Sequence, residues 1–144
     1  MDALRHGPHS AFSIHLHLVW VTKYRKPSLA GAVGVRVREL IREVCGTHDV
    51  HIIRGHVSKD HVHLLVSIPP QLAVSRLVQR LKGKTAYKLL AEFTHLRKEF
   101  WGRHLWARGY FCRSSGQVTD EVVKEYIENQ GRGGDGEFRV DGPE

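Results

Sequence analysis

Two histidines on one predicted strand have the clearest potential for metal chemistry in this sequence. His61 and His63 are two positions apart in a segment where Val62, Leu64 and Val66 alternate with more polar residues, as in a half-buried β-strand. Side chains two apart in a strand point to the same face, with Cα atoms about 6.5–7 Å apart, so both imidazoles can approach one divalent ion. The third ligand, and the group on which the ion acts, must come from elsewhere in the chain.

A second pair of residues lies on a helix predicted over residues 119–130. Tyr126 and Gln130 are four positions apart and therefore share one stripe of that helix, at the edge of its apolar face. The Gln130 amide oxygen can act as a metal ligand, and the Tyr126 phenol can act as a nucleophile. Val123 and Ile127 form the neighbouring stripe and are better placed for core packing.

The elements that must position these residues follow a split-βαβ order. Apolar alternation predicts strands over residues 13–22, 50–57, 61–68 and 110–113, and helical spacing predicts helices over 31–48 and 71–93. This order predicts an α+β fold with a ferredoxin-like or RRM-like antiparallel sheet, followed by the C-terminal tyrosine-bearing helix. Such a sheet carries its helices on one face, so we expect the histidines on the other, bare face.

Basic residues predict a polyanionic partner, with nucleic acid ahead of a membrane surface. Lys and Arg number 22 against 15 Asp and Glu, which gives a formal net charge of +7. A basic loop and the polar side of the second helix supply the candidate DNA contacts, which are Lys23, Tyr24, Arg25, Lys26, Arg80, Lys82 and Lys84.

Other conspicuous side chains have simpler interpretations. Trp101 and Trp106 are interpreted as packing residues, and His15 and His17 as solvent-facing or sheet-face histidines without a metal role. The two cysteines lack metal-type or disulfide-type spacing, and no apolar run reaches membrane-spanning length. We therefore expect a soluble cytoplasmic protein with one domain over residues 1–130 and a disordered Gly-rich tail over 131–144.

Taken together, the motifs resemble the single-tyrosine HUH transposases of the IS200/IS605 family. The matching stretches occur in family order over roughly residues 12–130, and they are Leu18 to Arg25, Asp60 to Leu65, Leu81 to Gly83, Trp101 to Trp106 and Tyr126 to Gln130. A lone His-x-His pair is a weak signal. Its combination with a distal Tyr-x-x-x-Gln helix and a Lys-Tyr-Arg loop is specific.

The resemblance implies roles for the site residues. His61 and His63 match the family's metal-binding histidines, Gln130 its third protein ligand, and Tyr126 its nucleophile. In the family such a tyrosine attacks a phosphodiester of single-stranded DNA, which leaves a 5′-phosphotyrosine link and a free 3′-OH. Mg²⁺ or Mn²⁺ suits such a site because positions stay open for water and phosphate, although the residue types do not exclude zinc.

The resemblance also implies the partners. Family members recognise hairpins near the single-stranded ends of the transposon and act as homodimers, in which the tyrosine helix of one subunit can complete the metal site of the other. Three other functions stay open: a housekeeping relative that processes chromosomal repeats, a non-catalytic single-stranded nucleic-acid-binding module, and a zinc hydrolase with a metal-bound hydroxide. A barrel amidohydrolase is excluded because such barrels need about 250 residues.

Overall fold

The histidine strand lies inside a four-stranded antiparallel sheet in the computed structural model, which describes residues 4–102, 104–114 and 126–129. The strands are β1 (Arg5–His6), β2 (Ala11–Phe12), β3 (His15–Val21), β4 (His51–Val57), β5 (His61–Ser67) and β6 (Phe111–Ser114). The helices are α1 (Ala32–Thr47), α2 (Val74–Glu92) and α3 (Thr94–Glu99). A helical turn at 126–129 follows them.

The sheet has the strand order β4-β5-β3-β6, with every neighbouring pair antiparallel. This is the order of a split-βαβ, ferredoxin-like sheet, so the predicted fold class is confirmed. The histidine strand β5 is paired on both sides, with Val19 of β3 opposite His63 and Val21 opposite His61. The register of the site is therefore fixed from two directions.

One face of the sheet packs against α1 and α2 to form the main core. Leu18 and Trp20 of β3 and Val62 and Leu64 of β5 are the strand residues at its centre, each no more than 2% exposed. The helices contribute residues at spacings of three and four, as predicted, and these include Val37, Leu40, Val44, Leu77, Leu81 and Leu89. Burying each large aliphatic side chain is worth about 1.5–3 kcal/mol.

The opposite face is partly covered, so the expectation of a bare face was wrong. Val19 and Val21 are buried there by Ile127 of the helical turn, together with Phe111 and Tyr126. The predicted packing role of Ile127 is confirmed. The rest of the predicted helix, including Val123 and Gln130, and the tail at 131–144 lie outside the described residues.

Two short elements were not predicted from the sequence. The β1–β2 hairpin has strands of two residues, which are too short to show an alternation. Phe93 has an extended backbone and separates α2 from the six-residue α3, although no glycine or proline marks that break. Within the described ranges, no helix is long and apolar enough to span a bilayer.

Candidate active site

His61 is oriented by the residue that precedes it. Its Nδ1 lies 2.9 Å from Oδ1 of the buried Asp60. Burial opposes ionisation of this carboxylate, but the hydrogen bond and charge of His61, with those of Arg25, outweigh it and lower the pKa of Asp60. In the tautomer that donates a hydrogen bond from Nδ1 to this carboxylate, the Nε2 lone pair of His61 stays available, as in histidines that bind metals.

Asp60 also connects the histidine strand to the basic loop. Its Oδ2 lies 3.3 Å from Arg25 Nε, and its backbone carbonyl accepts from the Thr22 amide at 3.0 Å. Asp60 therefore contacts both the histidine strand, through His61, and the segment that follows β3, through Thr22 and Arg25.

His63 has a partner that the sequence reasoning missed. Its Nε2 lies 3.0 Å from Nδ1 of His17 on the neighbouring strand β3. Burial is the main cause that lowers the pKa of both imidazoles, so both are neutral near pH 7. In antiparallel pairing His17 faces Leu65, two residues beyond His63, and this diagonal relation could have been found from the register alone.

The donor set of this face fits a divalent cation but is incomplete within the described residues. Two imidazoles on one face, one of them hydrogen-bonded to a carboxylate, are suitable ligands. No group of three or more His, Cys, Asp or Glu that could hold an ion occurs in the described part of the chain. If this face holds a metal, a third protein ligand would have to be of another type or lie outside those residues, and Gln130 meets both conditions.

Tyr126 lies on the same sheet face as the histidines. Its ring packs against Phe111 with centroids 5.4 Å apart, and burial raises the pKa of its phenol to about 12. Val19 pairs with Phe111 on one side and with His63 on the other. The tyrosine turn therefore packs on the face that carries the histidines, and β3 lies between Phe111 and His63.

A hollow of about 270 Å³ adjoins His63 and is lined by His17, Arg54, His56 and Leu65. The Arg54 guanidinium gives the hollow a fixed positive charge, which suits a phosphate. Arg54 and His56 were missed because their position depends on a bulge in β4. Ile52 pairs with Val66, but Arg54 instead of Ile53 then pairs with Leu65, which moves Arg54 and His56 onto the histidine face.

The predicted DNA-binding loop lies where β3 ends, beside Asp60. Lys23–Arg25 forms a 3₁₀ turn in which the Tyr24 side chain is 75% exposed. Arg25 contacts Asp60, and Lys26 Nζ donates to the Glu99 carbonyl at 3.1 Å. A DNA contact by this loop remains a prediction.

The basic residues of α2 lie on the other side of the sheet from the histidines. Lys82 Nζ donates to the carbonyls of Ala107 and Gly109 at 2.8 and 2.9 Å, so it anchors the segment before β6. Lys84 Nζ lies 3.3 Å from Glu43 Oε1, and Arg80 is exposed. The structure does not bring Arg80, Lys82 and Lys84 together with the histidine pair.

The two tryptophans of the irregular segment differ from each other. Trp106 packs edge-on against Trp20 at 5.9 Å, and its Nε1 donates to Thr85 Oγ1 at 2.9 Å, so its predicted packing role is confirmed. Trp101 is 86% exposed, and the packing role predicted for it was wrong. It follows the end of α3 in a turn that directs the ring to solvent.

Comparison with known proteins assigns the chain. The profile of the family described as IS200-like transposases matches residues 10–130. The ISDra2 transposase TnpA of Deinococcus radiodurans is 31% identical over 127 residues, which cover 88% of this chain and 91% of the relative. The transposase for insertion sequence element IS200 of Salmonella typhimurium is 31% identical over 122 residues, with 85% and 80% covered.

Solved structures agree with this assignment. A transposase candidate from Deinococcus radiodurans R1 superposes with a TM-score of 0.82 at 30% identity, over 88% of this chain and 97% of that one. A REP-associated tyrosine transposase bound to a REP hairpin gives a TM-score of 0.57 at 10% identity, over 86% and 68%, and shares the fold. The chain therefore belongs to the IS200-like transposases of the IS200/IS605 family.

Proposed function

We propose that this transposase cleaves and rejoins single-stranded transposon ends through a covalent link to Tyr126. The observation that carries the proposal is the position of the Tyr126 turn, which packs against Val19 and Val21 of β3 on the histidine face. These two valines pair with His63 and His61 of the neighbouring strand β5. A nucleophile and two metal-type imidazoles on one face are the parts that a tyrosine strand transferase needs.

The proposed step exchanges one ester for another. The Tyr126 oxygen forms a bond to phosphorus while the bond from phosphorus to the 3′-oxygen breaks, which gives a 5′-phosphotyrosine and a 3′-OH. The phenol loses its proton, and the departing 3′-oxygen gains one. Attack by a 3′-OH reverses the exchange and frees the phenol, so joining needs no ATP.

The surrounding side chains have supporting roles in this proposal. His61, His63 and Gln130 would hold Mg²⁺ or Mn²⁺, which when bound polarises a phosphoryl oxygen and balances developing charge. Asp60 would hold His61 in the tautomer with a free Nε2. Arg54, which lines the hollow beside His63, would bind a DNA phosphate.

The proposed substrate is single-stranded DNA that carries hairpins near the transposon ends. The REP-associated relative of the same fold is bound to a hairpin, and the net charge of +7 of this chain suits such a polyanion. We further propose a cytoplasmic homodimer in which the tyrosine helix can complete either its own site or that of its partner. A monomeric mass for the active, DNA-bound protein would contradict the dimer.

The test is cleavage of end-labelled single-stranded DNA from the ends of the element, with Mg²⁺ or Mn²⁺, read on a denaturing protein gel. We expect a labelled covalent adduct with the wild-type protein and with the control Tyr87→Phe, which changes an exposed tyrosine of α2. Tyr126→Phe should give no adduct, and His61→Ala should lower its yield strongly.

Two other outcomes would contradict the proposal. Cleavage that persists in Tyr126→Phe without any adduct would indicate hydrolysis by metal-bound water. If Tyr126→Phe binds single strands as tightly as the wild-type protein, and the wild-type protein does not cleave them, the protein would be a binding module.

A further inference from the structure

Two exposed aromatic rings line one basic hollow at the end of the sheet where β3 leaves it. The hollow has a volume of about 190 Å³, and its lining includes Lys23, Tyr24, Lys26, Phe100, Trp101 and His104. We propose that this Tyr24–Trp101 hollow is a stacking site for an unpaired base of single-stranded DNA, separate from the Tyr126 centre. The inference rests on the single-stranded substrate proposed above.

The rings of Tyr24 and Trp101, which both line the hollow, are strongly exposed to solvent. Tyr24 is 75% exposed and Trp101 is 86% exposed, the two highest values among the large hydrophobic side chains of the described residues. A single exposed aromatic residue is unremarkable, but here two of them line the same cavity. Every base has a π-face, so rings of this kind bind unpaired bases without demanding a sequence.

The backbone holds Tyr24 in this outward position. Tyr24 and Arg25 have φ values of 59° and 52°, in the left-handed region that residues other than glycine rarely adopt. The turn is secured by the Arg25–Asp60 contact and by the Thr22 hydroxyl, which donates to the Lys26 carbonyl at 2.8 Å. The ring is therefore exposed by a conformation that surrounding contacts fix, and it is not left loose at a loop tip.

Positive charge lies beside both walls of the hollow. Lys23 Nζ is 5.4 Å from the centroid of the Tyr24 ring, and Lys26 Nζ is 5.4 Å from that of Phe100. Glu99 is the acidic residue of the lining, and its carbonyl accepts from Lys26. A phosphodiester next to a stacked base would thus meet ammonium groups, which is the combination found in sites for single strands.

The size of the hollow selects one base and not a larger ligand. Pockets for drug-sized molecules have volumes of roughly 300–1,000 Å³, well above the value here. Because the hollow is open at the surface, the strand on either side of a stacked base can continue along the protein.

Binding of two oligonucleotides of equal length tests the proposal, one of thymidines and one fully abasic. Tyr126→Phe protein in EDTA serves as the parent, so cleavage plays no part. We expect the parent to bind the thymidine strand more tightly than the abasic strand. Trp101→Ala should bind the thymidine strand about 5- to 100-fold more weakly than the parent and the abasic strand equally well.

Further variants isolate the stacking contribution. Tyr24→Asn removes the ring with a residue that tolerates positive φ, and it should also reduce the preference for bases. Trp101→Phe should restore most of that preference. Tyr87→Ala removes a ring that is 73% exposed on α2, and it should leave the affinity for both strands unchanged. Quenching of tryptophan fluorescence by the thymidine strand should disappear in Trp101→Ala, because Trp20 and Trp106 are buried.

The alternative results are distinct. If the parent, Trp101→Ala and Tyr24→Asn all prefer the thymidine strand over the abasic strand to the same degree, the stacking site is ruled out. That result would leave the proposed Tyr126 chemistry intact. Failure of the parent to bind either strand would overturn both the stacking site and the proposed substrate. Loss of the adduct in Tyr126→Phe is a separate observation and does not bear on the hollow.

Discussion

At Tyr126, burial of the phenol opposes the nucleophilic role that we propose for it. Burial raises the pKa of this phenol, whose ring packs against Phe111, to about 12, so at neutral pH the docked side chain keeps its proton. Attack on phosphorus requires that the proton leave. In the proposed reaction the docked turn would be a resting arrangement of the nucleophile, and the binding of DNA and metal would have to offset the cost of ionising the phenol.

Titration of the phenol tests this description. The pKa in the folded state lies above the reference value of about 10, so the contribution of the docked phenol to stability is full below pH 10 and is lost as the pH rises through about 12. The difference in tyrosinate absorbance between wild type and Tyr126→Phe should show a midpoint near 12. Tyr87→Phe provides the matched subtraction of an exposed phenol. A midpoint near 10 for Tyr126 would contradict its burial.

His17 gives a second prediction at this scale. Ligation of a metal through His63 Nε2 must break the 3.0 Å contact with His17. A net hydrogen bond is worth about 0.5–1.5 kcal/mol, so His17→Ala should strengthen Mn²⁺ binding roughly 2- to 10-fold, as measured by calorimetry. His61→Ala is the control that should weaken it. Weaker binding in His17→Ala would show that His17 itself is a ligand.

At the scale of elements, the bulge in β4 decides which side chains reach the site. Regular pairing after Ile52 would place Ile53 opposite Leu65 and turn His56 toward the core. The alternation of apolar and polar residues over 50–57 does not indicate that β4 contains an extra residue between Ile52 and Arg54. Sequence reasoning therefore found His61 and His63, which a regular strand presents together, and missed Arg54 and His56.

Dependence on tertiary contacts also explains the other differences between the elements predicted from the sequence and those in the structure. The helical spacing of Val37, Leu40 and Val44 was sufficient to predict α1, because one helix face buries them all. The exposure of Trp101 depends on where α3 ends, and Phe93 ends α2 through its backbone conformation without a glycine or proline. Local patterns predict faces of regular elements, whereas tertiary contacts determine turns and register.

A buried hydrogen bond ties α2 to the segment before β6. Thr85 is fully buried and accepts from Trp106 Nε1 at 2.9 Å. Thr85→Val keeps the shape but leaves the indole N–H without this acceptor, so we expect a loss of about 1–3 kcal/mol in the free energy of unfolding. Urea unfolding measures it, with the exposed Thr94→Val as the control, which should stay within about 0.5 kcal/mol of wild type. A Thr85→Val protein as stable as the control would contradict this role.

For the molecule as a whole, the basic residues of α2 have surroundings that suit two different purposes, which the sequence does not separate. The sheet divides the protein into a histidine face and a helical face, and the basic residues of α2 lie on the helical side. Arg80 is exposed there and is available to a phosphate, whereas the Lys82 ammonium is bound to two backbone carbonyls. Burial lowers the pKa of Lys82, in keeping with an internal anchor.

Salt dependence distinguishes these purposes. If Arg80 contacts a phosphate, Arg80→Ala should reduce the slope of log affinity against log salt by about 1 and leave stability unchanged. Lys82→Met should lower the free energy of unfolding by about 1–3 kcal/mol, because two carbonyls lose their donor. A reduced slope in Lys82→Met without any loss of stability would reverse the two roles.

The covalent link is the central claim, and locating it by mass spectrometry is the most direct test. Cleavage reactions with the single-stranded ends would be digested with nuclease and trypsin, which releases residues 125–132 as a peptide with Tyr126 as its one tyrosine. We predict that this peptide carries a nucleotide through phosphate on Tyr126. A nucleotide on Tyr24, Tyr87 or Tyr110, or cleaved DNA with every tyrosine unmodified, would contradict the account.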